Sequence, residues 1–332
     1  MGADLYGYME NWHKAKNGQV FTPLHMGRFA AKLMDTDDTD TVLDACCGSG
    51  ALLFAAHAEG ADKLLGIEYD EEVKKLAEEN LKNVDDITYE IRQGDSQSGE
   101  VSEWIKEKQP TKVILNPPYE RKYGCMKIVK NVVDSLECGT KVAIFIPDKK
   151  FEKESKKYKQ TWNNSHTIDA IIKMPKNLFY GFSVEVSLFL ITAGVPQDNK
   201  KIYTCYIEDD GLVQVKNKSP QDLKGKWENE LKDKYFHCIY NRETETDSDT
   251  AKELDAKWIE PSEHLSYQLP EKPFEIHEED FEITALNYMC FKEGINLDEL
   301  WKDKYQRWAM IKALAQSGRT DSLNPIFRKE EQ

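Results

Sequence analysis

The sequence predicts an α/β protein built on a doubly wound, largely parallel sheet. From about residue 40, short β-rich runs alternate with amphipathic helical stretches, the signature of βαβ units with helices on both faces. The first four runs end in glycine-, acid- or proline-bearing segments, at the strand ends where α/β folds place ligands. The chain of 332 residues, 40% of them hydrophobic, is long enough to bury the core such a sheet needs.

Taken in order, Thr41–Asp44, Lys63–Glu68, Ile87–Arg92, Lys112–Asn116 and Lys141–Ile146 read as strands. The clearest helix is Glu71–Asn83, where Val73, Leu76, Ala77 and Leu81 recur at helical spacing. Ile168–Lys173 and Ser187–Thr192 read as two further strands, and MPKNLFYGFSVEV between them as a loop. At Pro196 and the polar QDNKK the texture changes, and residues 200–240 suggest short strands and turns. Residues 241–255 are acidic and nearly free of apolar side chains, so a mobile loop is expected there. The last 50 residues read as helical, with Trp301, Tyr305, Trp308 and Ile311 forming a stripe. The expected organisation is an N-terminal extension over 1–17, a main domain over 18–195 and a small mixed α/β C-terminal appendage over 196–332.

Composition narrows the class. The formal net charge is −14, from 45 Lys and Arg against 59 Asp and Glu. No apolar run approaches the roughly 18–20 residues of a membrane span. The opening MGADLYGYMENWHK has no apolar signal core, which argues against secretion. Seven cysteines, two of them adjacent, do not make a disulfide framework, and Cys46 and Cys47 have no zinc-site partners at sensible spacing. A reducing cytoplasm, with no membrane and no metal, is the expectation. Both parts of the chain are acidic, which runs against extensive phosphate contact. Residues 121–159 are the exception, with 11 basic side chains against 5 acidic ones.

The chemistry lies at the strand ends. Asp44-Ala45-Cys46-Cys47-Gly48-Ser49-Gly50 follows the first strand and opens a helix, and its glycines permit a tight turn and close approach of a ligand. Alone it fits any glycine turn of an α/β fold. The second strand ends in Glu68, where a carboxylate can accept from a ribose diol. The third leads to Asp95, where a carboxylate can accept from an adenine amino group. Together the three make a nucleoside-binding edge. The fourth strand ends in Asn116-Pro117-Pro118-Tyr119. The prolines fix a rigid turn and contribute no N–H, leaving the Asn116 amide oxygen and the Pro117 carbonyl as acceptors. Two acceptors so placed suit a planar NH2 group, and Tyr119 offers a flat face for its ring.

These motifs in this order resemble the adenine-N6 DNA methyltransferases, in particular the methyltransferase (modification) subunits of type I restriction–modification systems. GQVFTP at Gly18–Pro23 matches the GQ-x-[FY]-TP segment of that family, DACCGSG its S-adenosylmethionine loop and NPPY its catalytic loop. Pro175–Gly181 (PKNLFYG) is a looser match to LPxNLFxGT. The resemblance covers about residues 15–195. It implies a Rossmann-like class I S-adenosylmethionine-dependent methyltransferase domain. Phe21, Thr22 and Pro23 would line the cofactor pocket. Asp44 and Gly48 would hold the methionine part, with Cys46 and Gly50 in the same loop, Glu68 the ribose and Asp95 the adenine. Asn116 and Pro117, followed by Pro118, would bind the target amino group. Tyr119 would stack on a base flipped out of the duplex, with Phe179, or alternatively Phe182, as the second face.

The resemblance implies DNA as partner, and a specificity or other protein subunit beside it, in a restriction–modification or mobile-element setting. Arg121, Lys122, Lys127 and Lys130 are the phosphate-contact candidates, and the basic run Lys149–Lys159 divides between a DNA-facing patch and a solvated helix face. The sequence departs from the family in three places. Seventeen residues precede Gly18 where relatives carry a sizeable helical region, Ala45 stands for a common Pro, and Gly181-Phe182 stands for GT. Residues 196–332 are the candidate DNA-recognition or partner-binding module. Competing readings are methylation of a protein glutamine amide, methylation of RNA adenine, and a non-catalytic methyltransferase-like regulator.

Overall fold

A computed structural model of the chain describes residues 22–154, 156–176, 178–179, 184–213 and 221–261. Phe21, Phe182, the expected extension over 1–17 and the aromatic stripe at Trp301–Ile311 lie outside the described residues. The chain divides into two compact units, Met1–Pro270 and Glu271–Gln332, and everything described below belongs to the first.

The described strands are β1 (Thr41–Asp44), β2 (Lys63–Glu68), β3 (Thr88–Gln93), β4 (Lys112–Leu115), β5 (Lys141–Pro147), β6 (Thr167–Lys173), β7 (Val186–Thr192), β8 (Ile202–Tyr206) and β9 (Lys257–Ile259). They form one sheet in the order β3-β2-β1-β4-β5-β7-β6-β8-β9. Strands β1 to β5 are mutually parallel, and β7 runs antiparallel to both of its neighbours, β5 and β6. The order turns outward in both directions from β1 and β4, which opens a crevice at their carboxyl ends.

Both faces of the sheet are covered, so its central strands read as continuous apolar runs rather than alternating ones. Neighbouring residues of one strand serve opposite cores. Val42, Leu64 and Ile114 pack on one side with Phe29 of α1 (Leu24–Leu33) and Leu53 of α2 (Ala51–His57). Leu43, Leu65 and Val113 pack on the other with Trp104 of α4 (Gly99–Lys108) and Val129 of α5 (Cys125–Val133). Between β2 and β3, helix α3 (Glu71–Lys82) begins where the Asp70 carboxylate accepts from the N–H groups of Glu72 and Val73, at 2.9 and 3.2 Å. Glu71 and Glu72 in its first turn suit the positive end of the helix dipole.

Past β5 come the short α6 (Asp148–Glu152) and α7 (Lys156–Asn163). After β8, a π-helical turn at Trp227–Leu231 leads into α8 (Lys232–Tyr240), followed by α9 (Asp249–Glu253).

Two expectations for the C-terminal part need correcting. The texture change at Pro196 does not interrupt the sheet: β8 pairs parallel with β6 beyond it, and β9 closes the edge. Residues 196–261 therefore extend the main domain rather than form an appendage. The acidic stretch 241–255 is not an unstructured loop. Its carboxylates hold backbone and hydroxyl groups, as Asp247 does for the Thr244 N–H at 2.7 Å and Glu243 for the Ser248 hydroxyl at 2.6 Å. Ser248 in turn caps α9 through the Ala251 N–H. Composition cannot separate acids that face water from acids that cap backbone.

Candidate active site

At the carboxyl ends of β1 to β4 the structure opens a cavity of about 780 Å³. Its lining includes Thr22, Asp44, Cys46, Gly48, Glu68, Asp95 and Asn116, so residues from motifs far apart in sequence meet in one place. A second cleft of about 500 Å³ lies at the opposite strand ends, against Lys141, Thr167 and Arg242, away from every motif named above.

The glycine loop is pinned from two sides. The Cys47 N–H donates to the Ile67 carbonyl at 2.9 Å, and the Gly48 N–H donates to Glu68 Oε2 at 2.9 Å. Glu68 Oε1 accepts from the Asp70 N–H at 3.0 Å. Glu68 thus braces the loop as well as facing the cavity. Gly48 and Gly50 have φ of 53° and 87°, a left-handed backbone that side-chain-bearing residues rarely adopt. Gly66, in β2, serves a different need. A Cβ there would stand 2.5 Å from Ile91 Cδ1 and 2.9 Å from Cys47 Sγ.

The cavity is acidic. Asp44 is 1% exposed and accepts from the Cys46 N–H at 2.9 Å. Burial pushes its carboxyl up to about 8, against that hydrogen bond, and the charge of Glu68 adds to the rise. Burial likewise raises Glu68. Asp95 is exposed and caps its own turn through the Gln97 N–H at 2.9 Å. Asp70, Glu71 and Glu72 complete the rim. With its carboxyl at about 8, Asp44 holds a proton at neutral pH, and a cationic ligand would displace it. Among the described residues no three metal-ligating side chains converge.

Asn116 is 8% exposed, and its amide Nδ2 donates to the Thr22 hydroxyl at 2.8 Å. Pro118 lines the cavity beside it, and Pro117 is buried. Tyr119 and Phe179 meet edge to face, ring centres 5.7 Å apart. Phe179 is 3% exposed and packs in the core, so it does not present an open face to the cavity as the sequence expectation required. The two rings touch each other, and a base between them would have to part them. The Tyr119 hydroxyl is buried with no hydrogen-bond partner among the described residues, and burial drives its phenol upward.

Of the four phosphate-contact candidates, Lys122 is paired with Glu120 at 3.0 Å and Lys130 with Asp134. Lys127 is exposed and has no ion pair among the described residues, and the side chain of Arg121 lies outside them. In the run 149–159, Lys153 is likewise exposed and unpaired among the described residues, whereas Lys159 is buried over the Phe151 ring.

Sequence reasoning missed Tyr69, 71% exposed at the cavity rim, although its place directly after the strand-end acid was a usable signal. It also missed a charge cluster around the buried Lys173 and Asp148. Lys173, 3% exposed, lies 3.6 Å from both Asp148 and Glu185, and the Ser187 hydroxyl donates to Asp148 at 2.9 Å. No local pattern announces that cluster, because its members come from three strand ends.

The sequence matches the N-6 DNA methylase family over residues 3–137 and 127–290, and the chain belongs to that family. It is 24% identical over 312 residues, 83% of its length, to the type II restriction enzyme and methyltransferase RM.BcgI of Heyndrickxia coagulans. It is 28% identical over 229 residues, 56% of its length, to the type I restriction enzyme MjaVII methylase subunit of Methanocaldococcus jannaschii. The chain spans 46% and 38% of those two relatives.

Among solved structures, the EcoKI M protein of a type I restriction enzyme superposes with a TM-score of 0.59 at 14% identity, over 97% of this chain and 78% of that one. The type I methyltransferase subunit from Streptococcus thermophilus gives 0.57 at 16% identity, over 72% and 56%. These likenesses establish the fold, the class I methyltransferase sheet expected from the motifs.

Proposed function

We propose that this chain methylates the N6 amino group of adenine in DNA, using S-adenosylmethionine, as the modification component of a restriction–modification system. The observation that carries the reading is Asn116: its amide nitrogen is tied down at Thr22, on the wall of an acidic cavity that fits a cationic nucleoside. The donor set suits the cofactor. Asp44 sits where an ammonium or sulfonium charge would be neutralised, Glu68 and Asp95 offer acceptors for a ribose and an adenine amino group, and Tyr69 offers a ring face at the rim.

When bound, S-adenosylmethionine supplies a methyl group on a sulfonium, already a good leaving group. The chain's residues then have mainly to position the acceptor. Asn116 Oδ1 and the Pro117 carbonyl accept the two hydrogens of the target amino group and aim its lone pair. Extruding the adenine costs a few kcal/mol, offset by stacking on Tyr119 and by these hydrogen bonds. Held by Asp44, Glu68 and Asp95, the cofactor would give its methyl group to the nitrogen so aimed and leave as a neutral thioether. The nitrogen then sheds one proton to water. Asn116 has no basicity to take that proton, and none is required of it.

DNA and a specificity subunit are the partners this reading implies. The family match and the DNA-modifying relatives weigh against glutamine methylation, which shares the NPPY loop but not GQVFTP. The test is mass spectrometry of nucleosides from DNA incubated with the chain and S-adenosylmethionine, with and without a specificity subunit. N6-methyladenine is expected from the wild type and none from Asn116→Ala, with cofactor affinity in that variant within about threefold of wild type. Equal product from both proteins refutes the mechanism.

A further inference from the structure

The end of β5, the end of β6 and the start of β7 meet in a cluster of charges. Lys173, the last residue of β6, is 2% exposed, and Asp148, the first residue after β5, is 3% exposed. Lys173 Nζ lies 3.6 Å from Asp148 Oδ2 and 3.6 Å from Oε2 of Glu185, the residue before β7. Each carboxylate has a second task. Asp148 Oδ1 accepts from the Ser187 hydroxyl at 2.9 Å, and Glu185 Oε1 lies 3.7 Å from Lys176 Nζ. The cluster therefore ties both ends of the segment between β6 and β7, and that segment carries Phe179 to within 5.7 Å of Tyr119, ring centre to ring centre. Asp148 acts on the same tyrosine. Burial raises the Tyr119 phenol most, and the charges of Cys125 and Asp148 add to the rise.

As a source of stability this cluster is a poor choice. The cost of burying an ammonium and a carboxylate can exceed what their attraction returns, and apolar side chains of similar volume often hold such a junction as well. Both carboxylate contacts of the Lys173 ammonium are longer than a charged hydrogen bond, and the Tyr206 ring centre lies 6.0 Å from it. The backbone already joins the three elements here. The Met174 N–H donates to the Val186 carbonyl at 3.0 Å, and the Asp148 N–H to the Glu185 carbonyl at 3.0 Å. What charge adds is a defined place: an ammonium between two carboxylates has few alternatives, whereas repacked apolar side chains keep stability and lose uniqueness first.

Building on the methyl-transfer reading, we infer that Lys173 is a positioning residue: held between Asp148 and Glu185, it fixes the segment between β6 and β7 so that Phe179 backs Tyr119, the ring on which the target base stacks. Neither Lys173 nor its two carboxylates line the cofactor cavity, so its loss falls on the handling of the base. Three variants separate this role from simple stability. Lys173→Met removes the ammonium at similar length; Lys173→Met with Asp148→Asn removes both buried charges; Glu185→Gln removes the more exposed arm and tests the idea even where Lys173→Met does not fold. In single-turnover assays with saturating S-adenosylmethionine, Lys173→Met should lower the methyl-transfer rate on the order of 30-fold, and Glu185→Gln about fivefold. Cofactor affinity should stay within about threefold of wild type throughout. The double variant should regain the urea midpoint of the wild type but not its rate.

The placement of the wall is also read without turnover, by 19F spectroscopy of protein labelled with fluorophenylalanine. The signal that vanishes in Phe179→Leu belongs to residue 179, and Tyr119→Leu shows how far the neighbouring ring displaces it. In Lys173→Met, in the double variant and, less far, in Glu185→Gln, that signal should move toward its position in Tyr119→Leu. An unchanged rate in Lys173→Met and Glu185→Gln, a rate that recovers together with the urea midpoint in the double variant, a defect confined to cofactor affinity, or a Phe179 signal indifferent to residue 173 overturns the inference. A wild type that methylates no DNA refutes the methyl-transfer reading instead, and the Phe179 signal then decides by itself whether Lys173 sets the wall.

Discussion

Asp44 is the residue whose protonation the fold controls most directly. Its carboxyl is raised to about 8 from an unfolded value of 3.8, so between those limits the folded chain holds a proton that the unfolded chain has lost. Its contribution to stability is therefore fully present below about pH 4 and is lost as pH rises through 8. A cationic ligand reverses the balance by favouring the carboxylate. Calorimetry of S-adenosylmethionine binding at pH 7, in buffers of different ionisation enthalpy, should report release of about one proton. Affinity should rise from pH 6 to 8, and Asp44→Asn should abolish both effects. Asp44 as a residue of the strand-end cavity was legible from its place at the end of the first strand. Its proton was not, because that depends on burial and on Glu68, which reaches the same loop from another strand.

At the scale of elements, the parallel core was legible nearly to the residue. Both β1 and β2 carry the bounds their apolar runs suggest, and α3 ends one residue before its expected close at Asn83. Gly66 shows what such reading omits. Within KLLGIE it looks like a weak point of a strand, yet it is where β2 lets the Cys47 sulfur and Ile91 approach. Gly66→Ala should destabilise the protein by about 1–3 kcal/mol in urea unfolding, as overpacked cores do. It should also weaken cofactor binding, because the displaced Cys47 belongs to the loop that Ile67 and Glu68 pin. Destabilisation with unaltered cofactor affinity would show that the loop is held independently of its packing. The C-terminal strands were legible only as fragments: β8 and β9 are short and lie at the sheet's edge, and what joins them to it is backbone pairing rather than any local pattern.

For the whole molecule, a net charge of −14 conceals an uneven surface. The sequence offered a basic segment but could not say which of its cations are already neutralised. Lys122 and Lys130 have carboxylate partners beside them, whereas Lys127 and Lys153 stand exposed without an ion pair among the described residues. Under the DNA reading, Lys127→Glu and Lys153→Glu should each weaken DNA binding and reduce the salt slope by about one. Lys122→Glu and Lys130→Glu should do so less, since each lysine arrives already paired. Fluorescence anisotropy across a salt series distinguishes the two pairs of variants, and equal slopes would place the DNA elsewhere.

Strand β7 lies between β5 and β6 although it follows both in the chain. During synthesis, β5 and β6 emerge with no strand to join them, each presenting an unpaired apolar edge until Thr192 has been made. The fully buried β7 is thus the last wedge driven into the main sheet, and a chain halted before it has two adhesive margins instead of one interior. The segment that brings in this wedge, between Lys173 and Val186, also brings Phe179 against Tyr119. The cavity at the ends of β1 to β4, built from earlier strands, can therefore take shape on a nascent chain before the wall against Tyr119 exists. Under the base-methylation reading, the part of the site that would hold the base closes after the part that would hold the cofactor.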